Sequence, residues 1–270
     1  MQWIEAVKQL SSSLDEPFEL EFVWRNLHEL SKLAWLNRMR ENISEKDFAH
    51  LAEITERLNR HEPPQYIVGW AEFCGLRFTV NPQVLIPRPE TEELVLKIAK
   101  ENIAGSMRVL DMGTGSGAIA VSLAKLHPDW KITASDISDA ALEVAKSNAQ
   151  KNDVTVQFVH SDVMSNITGQ FDLIVSNPPY ISFADKAEVD LSVLQNEPEN
   201  ALFAEKDGLA VYEQIAQQAA YFLTKNGKMY FEIGYKQGEV VKTLFETAFP
   251  QKKVTVLQDF SGKDRIVRVE

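Results

Sequence analysis

Asn177, Pro178, Pro179 and Tyr180 are the residues whose types and spacing suit chemistry better than packing. They follow an apolar run, Phe171 to Ser176, that reads as a buried strand. Proline has no N–H for a strand ladder, so the strand stops there and the Asn side chain is left at its carboxyl edge. In open α/β sheets that edge is where ligands bind. The Asn177 side-chain oxygen and the Pro178 carbonyl can each accept one hydrogen from a planar NH2 group, and Tyr180 can stack on its face. An amide nitrogen is a poor nucleophile because its lone pair is delocalised. Alkylating it therefore asks for orientation more than for a strong base. Alignment is worth up to about 7–11 kcal/mol in well-oriented systems, and preorganised acceptors add an electrostatic contribution. The tetrapeptide holds no His, Cys or Lys, and His28, His50, His61, His127 and His160 are scattered.

A second constellation lies upstream. Arg108 to Ala120 reads as a strand, a glycine loop (Gly113-Thr114-Gly115-Ser116-Gly117) and a helix start. Glycines let a backbone approach a ligand closely. Alone, the pattern also fits a loose dinucleotide fingerprint. Two carboxylates sharpen it. Asp111 stands just before the loop, where it would repel a pyrophosphate but welcome an ammonium. Asp136 ends the next strand and can accept hydrogen bonds from both hydroxyls of a ribose. A ligand with a ribose, an ammonium and no phosphate is S-adenosylmethionine. The third strand ends at His160-Ser161-Asp162-Val163, where Asp162 is either the candidate for an adenine amino group or a turn residue, and Val163 is the candidate for an apolar wall.

These positions require a sheet. Strands are expected at 107–111, 131–135, 154–159, 171–176, 227–233, 253–258 and 265–269, with helices at 117–127, 138–151, 208–224 and 236–249. The alternation predicts an α/β fold, a mostly parallel seven-stranded sheet with helices on both faces. The turn Ser261 to Asp264 suggests a final antiparallel hairpin. Residues 181–207 read as a long polar connection, and its position directly after the tetrapeptide favours a functional role. Upstream, Thr91 is expected to cap a helix over 92–101, after the Pro-rich stretch Leu85 to Glu90. Strands at 66–70 and 74–80 suggest a hairpin. Helices at 2–13 and 18–40, and a third opened by Ser44, make a small bundle. The predicted organisation is a helical bundle over 1–64, a hairpin linker over 65–82 and a catalytic domain over 83–270.

Composition limits the partners. The 270 residues carry a net charge of −11, and the first 75 hold 8 Lys/Arg against 13 Asp/Glu. Duplex binding leans on Lys and Arg neutralising phosphates, so the bundle suits a protein contact better than a nucleic-acid clamp. No run of 18 apolar residues exists, so no membrane span is expected. Met1 to Glu5 lacks the pattern of a signal peptide. Cys74 is the single cysteine, without metal-ligand spacing around it, so no metal is expected and a cytoplasmic setting follows.

With these residues the chain resembles the class I S-adenosylmethionine-dependent methyltransferases with an Asn-Pro-Pro-Tyr motif. More narrowly, it resembles the peptide chain release factor glutamine methyltransferases. The likeness rests on Ile86-Pro87-Arg88-Pro89-Glu90-Thr91-Glu92, Gly113 to Gly117, Ser176 to Ile181, Glu197-Pro198 and Glu232-Ile233-Gly234. It implies a Rossmann-like methyltransferase domain and methylation of the side-chain nitrogen of the glutamine in a release factor's Gly-Gly-Gln loop. It also implies donor contacts at Gly113 to Gly117, Asp136, Val163 and Asn177, and glutamine contacts from Asn177 to Tyr180. Relatives often carry an aromatic where this chain has Val163. Two other readings are an amino-group methyltransferase acting on adenine or guanine, which should show a basic face, and a non-enzymatic protein-binding module, which should have a decayed loop or tetrapeptide.

Overall fold

A computed structural model of the chain describes residues 1–103 and 105–270. Two compact units form, one of residues 1–70 with 189–196, the other of residues 71–188 with 197–270. Among the described residues no helix is long and apolar enough to cross a membrane.

The first unit is helical: α1 (Trp3–Ser11), α2 (Phe18–Leu27), α3 (Lys32–Arg38), α4 (Glu45–Asn59) and α5 (Pro64–Val68). Its core is built on Trp3, which meets Trp24 and Trp35 edge-on at ring centroid distances of 5.0 and 5.9 Å. Ser44 caps α4 as expected, accepting from Asp47 N at 3.1 Å. The single helix expected over 18–40 is instead two. Glu29 is left-handed, and Ser31 accepts from Ala34 N to start α3, as Ser does at an N-cap. The strand expected at 66–70 is α5, because Pro64 suits the first helical turn and Gly69 ends it with φ 85°. The hairpin follows, with β1 (Trp70–Phe73) and β2 (Leu76–Thr79) turning through left-handed Cys74 and Gly75.

In the second unit α6 (Pro89–Glu101) precedes the alternation β3 (Arg108–Met112), α7 (Ala118–Leu126), β4 (Lys131–Asp136), α8 (Asp139–Lys151), β5 (Gln157–His160) and β6 (Phe171–Ser176). Residues 181–207, expected without regular structure, carry short elements. These are β7 (Ile181–Ser182), a 3-10 turn at Phe183–Glu188, α9 (Leu191–Asn196), which belongs to the first unit, α10 (Glu199–Leu202) and β8 (Phe203–Ala204). Then come a kinked turn, α11 (Glu205–Gly208), followed by α12 (Ala210–Phe222), β9 (Leu223–Glu232), α13 (Gly238–Ala248), β10 (Val254–Gln258) and β11 (Asp264–Val269).

The seven strands order as β10-β11-β9-β6-β3-β4-β5, with β11 antiparallel to both neighbours. One apolar layer fills each face of this sheet. From β3 the chain winds first to β4 and β5, then returns to the other side of β3 as β6. The order therefore reverses between β3 and β6, and a cleft opens beyond their carboxyl ends.

α6 starts at Pro89, two residues before the expected cap, so Thr91 lies inside the first turn and is buried. Buried Asn148 of α8 ties the hairpin to the glycine loop: its Oδ1 accepts from Thr79 N at 2.7 Å, and its Nδ2 donates to Thr79 O at 3.0 Å and Ser116 O at 2.9 Å. Asn148→Ala is expected to destabilise the protein by about 1–3 kcal/mol for each backbone group left unsatisfied. A lower urea midpoint with unchanged slope would show this; an unchanged midpoint would refute it.

Candidate active site

A cavity of about 420 Å³ opens at the sheet's reversal point, lined by residues of the glycine loop, the end of β4, the loop after β5 and Asn177-Pro178-Pro179. Its remaining walls come from residues 83–91, 198–205 and 210–214. Gly113, Thr114, Gly115, Ser116, Asp136, Asp162, Val163, Asn177, Pro178 and Pro179 all line it; Gly117 and Tyr180 do not.

The glycine loop needs its glycines for conformation. Gly113 and Gly115 have φ of 70° and 54°, with open space where a Cβ would stand. Gly117 has φ 83°, and a Cβ there would sit 3.1 Å from Ala145 Cβ, so it serves the approach of α8. Thr114 N donates to Ser135 O at 2.9 Å, pinning the loop to β4.

Asp111 does not line the cavity, in contrast to the ammonium role expected of it. Its Oδ2 accepts from Thr114 Oγ1 at 2.6 Å and Ala120 N at 3.1 Å, so it clamps the loop to the start of α7. Its Oδ1 is buried with no partner among the described residues. Burial pushes its carboxyl up to about 7, despite those two donors. Asp136 does face the cavity. Its Oδ2 accepts from Gly115 N at 2.8 Å and its Oδ1 from Ser138 N at 2.9 Å. A carboxylate has about four acceptor sites, so both oxygens can still take a hydroxyl. Burial raises its pKa, while hydrogen bonds from the Ser138, Gly115 and Ile137 amides oppose the shift.

Beyond β5, Asp162 is exposed and Val163 holds φ 48°, a left-handed backbone rare for a β-branched residue. Ser161 Oγ donates to Val163 O at 3.1 Å and accepts from Asn166 N at 3.1 Å, which holds the turn.

On the other side of β3, β6 and β9 pair in parallel with Ser176 opposite Phe231. The next residues, Asn177 and Glu232, therefore lie side by side at the carboxyl edge. Asn177 Nδ2 donates to Thr91 Oγ1 at 3.2 Å, and Thr91 Oγ1 donates to Glu232 Oε2 at 2.6 Å. Tyr180 OH points to Glu232 Oε1 at 3.4 Å. Arg88, which lines the cavity, donates to buried Glu197 at 2.6 Å, and Ile86 N donates to the same carboxylate at 3.1 Å. Sequence reasoning gave Thr91 only a helix cap and assigned no site contact to Thr91, Arg88, Glu197 or Glu232. Their only signal was membership of the motifs Ile86 to Glu92, Glu197-Pro198 and Glu232-Ile233-Gly234.

Two family models match the sequence: the PrmC N-terminal domain over residues 3–69 and the methyltransferase small domain over residues 90–202. The chain is 56% identical over 270 residues to the release factor glutamine methyltransferase of Lactococcus lactis subsp. lactis, covering 100% of both. It is 46% identical to the protein of that name from Streptococcus pneumoniae, covering 95% of this chain and 92% of the other. Among solved structures, a methyltransferase from Pyrococcus furiosus superposes with a TM-score of 0.55 at 21% identity, covering 72% of this chain and 88% of that one. At that identity the likeness is one of fold.

Asp111 gives this site a pH signature. Its folded pKa, about 7, lies above the ordinary carboxylate range, so the native state binds the proton more tightly than the unfolded chain does. Its contribution to stability is present below about pH 4 and is lost as pH rises through about 7. Asp111→Asn keeps an acceptor oxygen for Thr114 and Ala120 but has no proton to lose. Urea unfolding at about pH 5 and about pH 8 is expected to show a smaller fall in stability for the variant than for the wild type. An equal fall would overturn the assignment.

Proposed function

The chain belongs to the release factor glutamine methyltransferases, and from that premise we propose that it moves a methyl group from S-adenosylmethionine to the side-chain amide nitrogen of the glutamine in a release factor's Gly-Gly-Gln motif. The observation that carries this reading is the convergence, on one cavity, of an acidic strand end, a glycine loop and an Asn-Pro-Pro sequence.

The residues fit the donor. Asp136 retains lone pairs for two ribose hydroxyls, the glycine loop admits the ligand against backbone, and Asp162 with Val163 meets the adenine end. When bound, the donor supplies an electrophilic methyl on a sulfonium sulfur. The rest is done by the protein. Asn177 Oδ1 and the Pro178 carbonyl accept the two hydrogens of the target NH2, which turns the face of its nitrogen to the donor. Both acceptors favour the positive charge that grows on nitrogen as the bond forms. As the nitrogen–carbon bond forms, the methyl's bond to sulfur breaks and leaves its electron pair on sulfur, and the nitrogen then loses one of its two protons to water. No strong base is required, and Tyr180 backs the motif at Glu232.

The helical unit, residues 1–70 with 189–196, is the docking element for the release factor, and the unit of residues 71–188 with 197–270 is the catalytic one. An overall charge of −11 suits a protein substrate better than nucleic acid. The expected setting is the cytoplasm, where translation termination occurs.

Purified enzyme with labelled donor is expected to label intact release factor at the Gly-Gly-Gln glutamine, mapped by mass spectrometry, and to leave RNA and DNA unlabelled. Label on nucleic acid alone would reject the reading. Asn177→Ala is expected to abolish transfer while donor still binds; near-normal turnover would refute its role. Asp136→Ala is expected to weaken donor binding by about 1.5–3 kcal/mol per charge-assisted bond lost. Unchanged affinity by calorimetry would count against that contact.

A further inference from the structure

We propose that Thr91 and Glu232 are positioning residues for this transfer, which together hold the Asn177 carboxamide with Oδ1 turned to the acceptor and Nδ2 turned away. The inference rests on the function proposed above and assigns a role to two motifs that function had not used.

A threonine hydroxyl has one proton and two lone pairs. The Thr91 proton is committed to Glu232 Oε2 at 2.6 Å, a length typical of a hydroxyl donating to a carboxylate. Toward Asn177, Thr91 can then only accept. The amide atom 3.2 Å from it must be Nδ2, and Oδ1 must face the other way. Oδ1 takes no hydrogen bond from the protein among the described residues, which leaves it available for a substrate NH2. A flipped amide would present Nδ2 to that NH2, donor against donor.

Glu232 is itself held firmly. Tyr212 OH donates to its backbone carbonyl at 2.6 Å, and Tyr180 OH lies 3.4 Å from Oε1. Thr91 arrives from the first turn of α6, whose start the prolines at 87 and 89 stiffen. Three elements far apart in sequence thus agree on one orientation.

The device is sensitive to one proton. If Glu232 is protonated on Oε2, it can donate to Thr91, whose own hydrogen is then free to point at Asn177. The amide flips to meet it, and the acceptor geometry is lost. Burial pushes the Glu232 carboxyl up to about 7. The charged and titratable groups around it are Glu90 on α6, Arg265 on β11, Tyr180 after β6 and Tyr212 on α12. Arg265 opposes the shift and Glu90 adds to it. The rate should therefore fall as pH drops through about 7, from loss of the oriented form.

The test uses full-length enzyme, purified release factor and labelled donor, with kcat measured across pH and donor affinity by calorimetry. Thr91→Val, which keeps shape but removes the hydroxyl, is expected to lower kcat about tenfold or more, with donor affinity within about twofold. Its acid limb should flatten. Thr91→Ser should restore both rate and limb. Glu232→Gln, which retains hydrogen-bonding groups and shape, should lose the acid limb even if Thr91→Val folds poorly. An anchor that merely pins α6 to the sheet would move thermal stability and leave the pH profile alone. Wild-type kcat in folded Thr91→Val, no rescue by Thr91→Ser, or an intact acid limb in Glu232→Gln overturns the inference while a working wild type leaves the function standing. A wild type that never methylates release factor removes both.

Discussion

Pro178 and Pro179 have no amide hydrogen to give, and the catalytic unit is arranged around that deficit. β6 pairs with β3 on one side and β9 on the other up to Ser176. Two residues further, at Pro178, the ladder has no donor. Asn177 is therefore the last residue whose position the sheet controls, and the first whose side chain is free of it. Ser176 Oγ donates to Met112 O at 2.6 Å, which locks the end of β6 to the end of β3 just before the glycine loop. The strand end carrying the acceptor site and the strand end carrying the donor site are thus held by one short bond.

Asp111, Asp136, Glu197 and Glu232 are among the carboxylates near this edge, in a chain already short of positive charge. Each is satisfied differently. Glu197 alone has an arginine, Arg88, on it. Asp136 and Asp111 are served by backbone amides and a threonine hydroxyl. Glu232 is served by hydroxyls. Hydroxyl and amide donors stabilise an anion less than a salt bridge of equal geometry would, so burial wins at Asp111 and Glu232 and both are pushed to about 7. A group poised near neutrality can report its protonation through the direction of a hydrogen bond.

The alternation of strands and helices from Arg108 onward was legible because periodicity is a local property, and so were the Asn-Pro-Pro stop and the glycine loop. The errors share a cause. At Tyr66 to Trp70 a β-branched, aromatic run outweighed Pro64 and Gly69, the two residues that frame a helix there. At Leu30-Ser31 an apolar stripe hid a capping serine. Asp111 has the right position in its strand for the site, yet its carboxylate turns inward to Thr114 and Ala120. Threonine before a helical run usually caps it, and nothing near Thr91 in sequence says otherwise. Its actual partner, Glu232, lies 141 residues away, and no window of sequence contains both. What remained illegible was the set of contacts that close over long separations.

The same principle explains how the tetrapeptide is held from behind. Tyr180 O accepts from Gln237 Nε2 at 3.0 Å, and Gln237 Oε1 accepts from Gly234 N at 3.0 Å, so one side chain links the end of the motif to the residues just after β9. The turn of α11 presses on the same carbonyl. A Cβ at Gly208 would stand 2.0 Å from Tyr180 O, inside any permitted contact, and its φ of 82° already favours glycine. Lys206 and Asp207, both left-handed, carry the chain into that approach, at a cost of about 1–3 kcal/mol for each such residue. Backbone strain is tolerated where something over-determines it, and here the constraint is contact with the motif on which orientation depends. The rigidity of residues 177–180 is thus assembled from a proline stop, a hydroxyl relay and a glycine contact, three devices that act on different atoms.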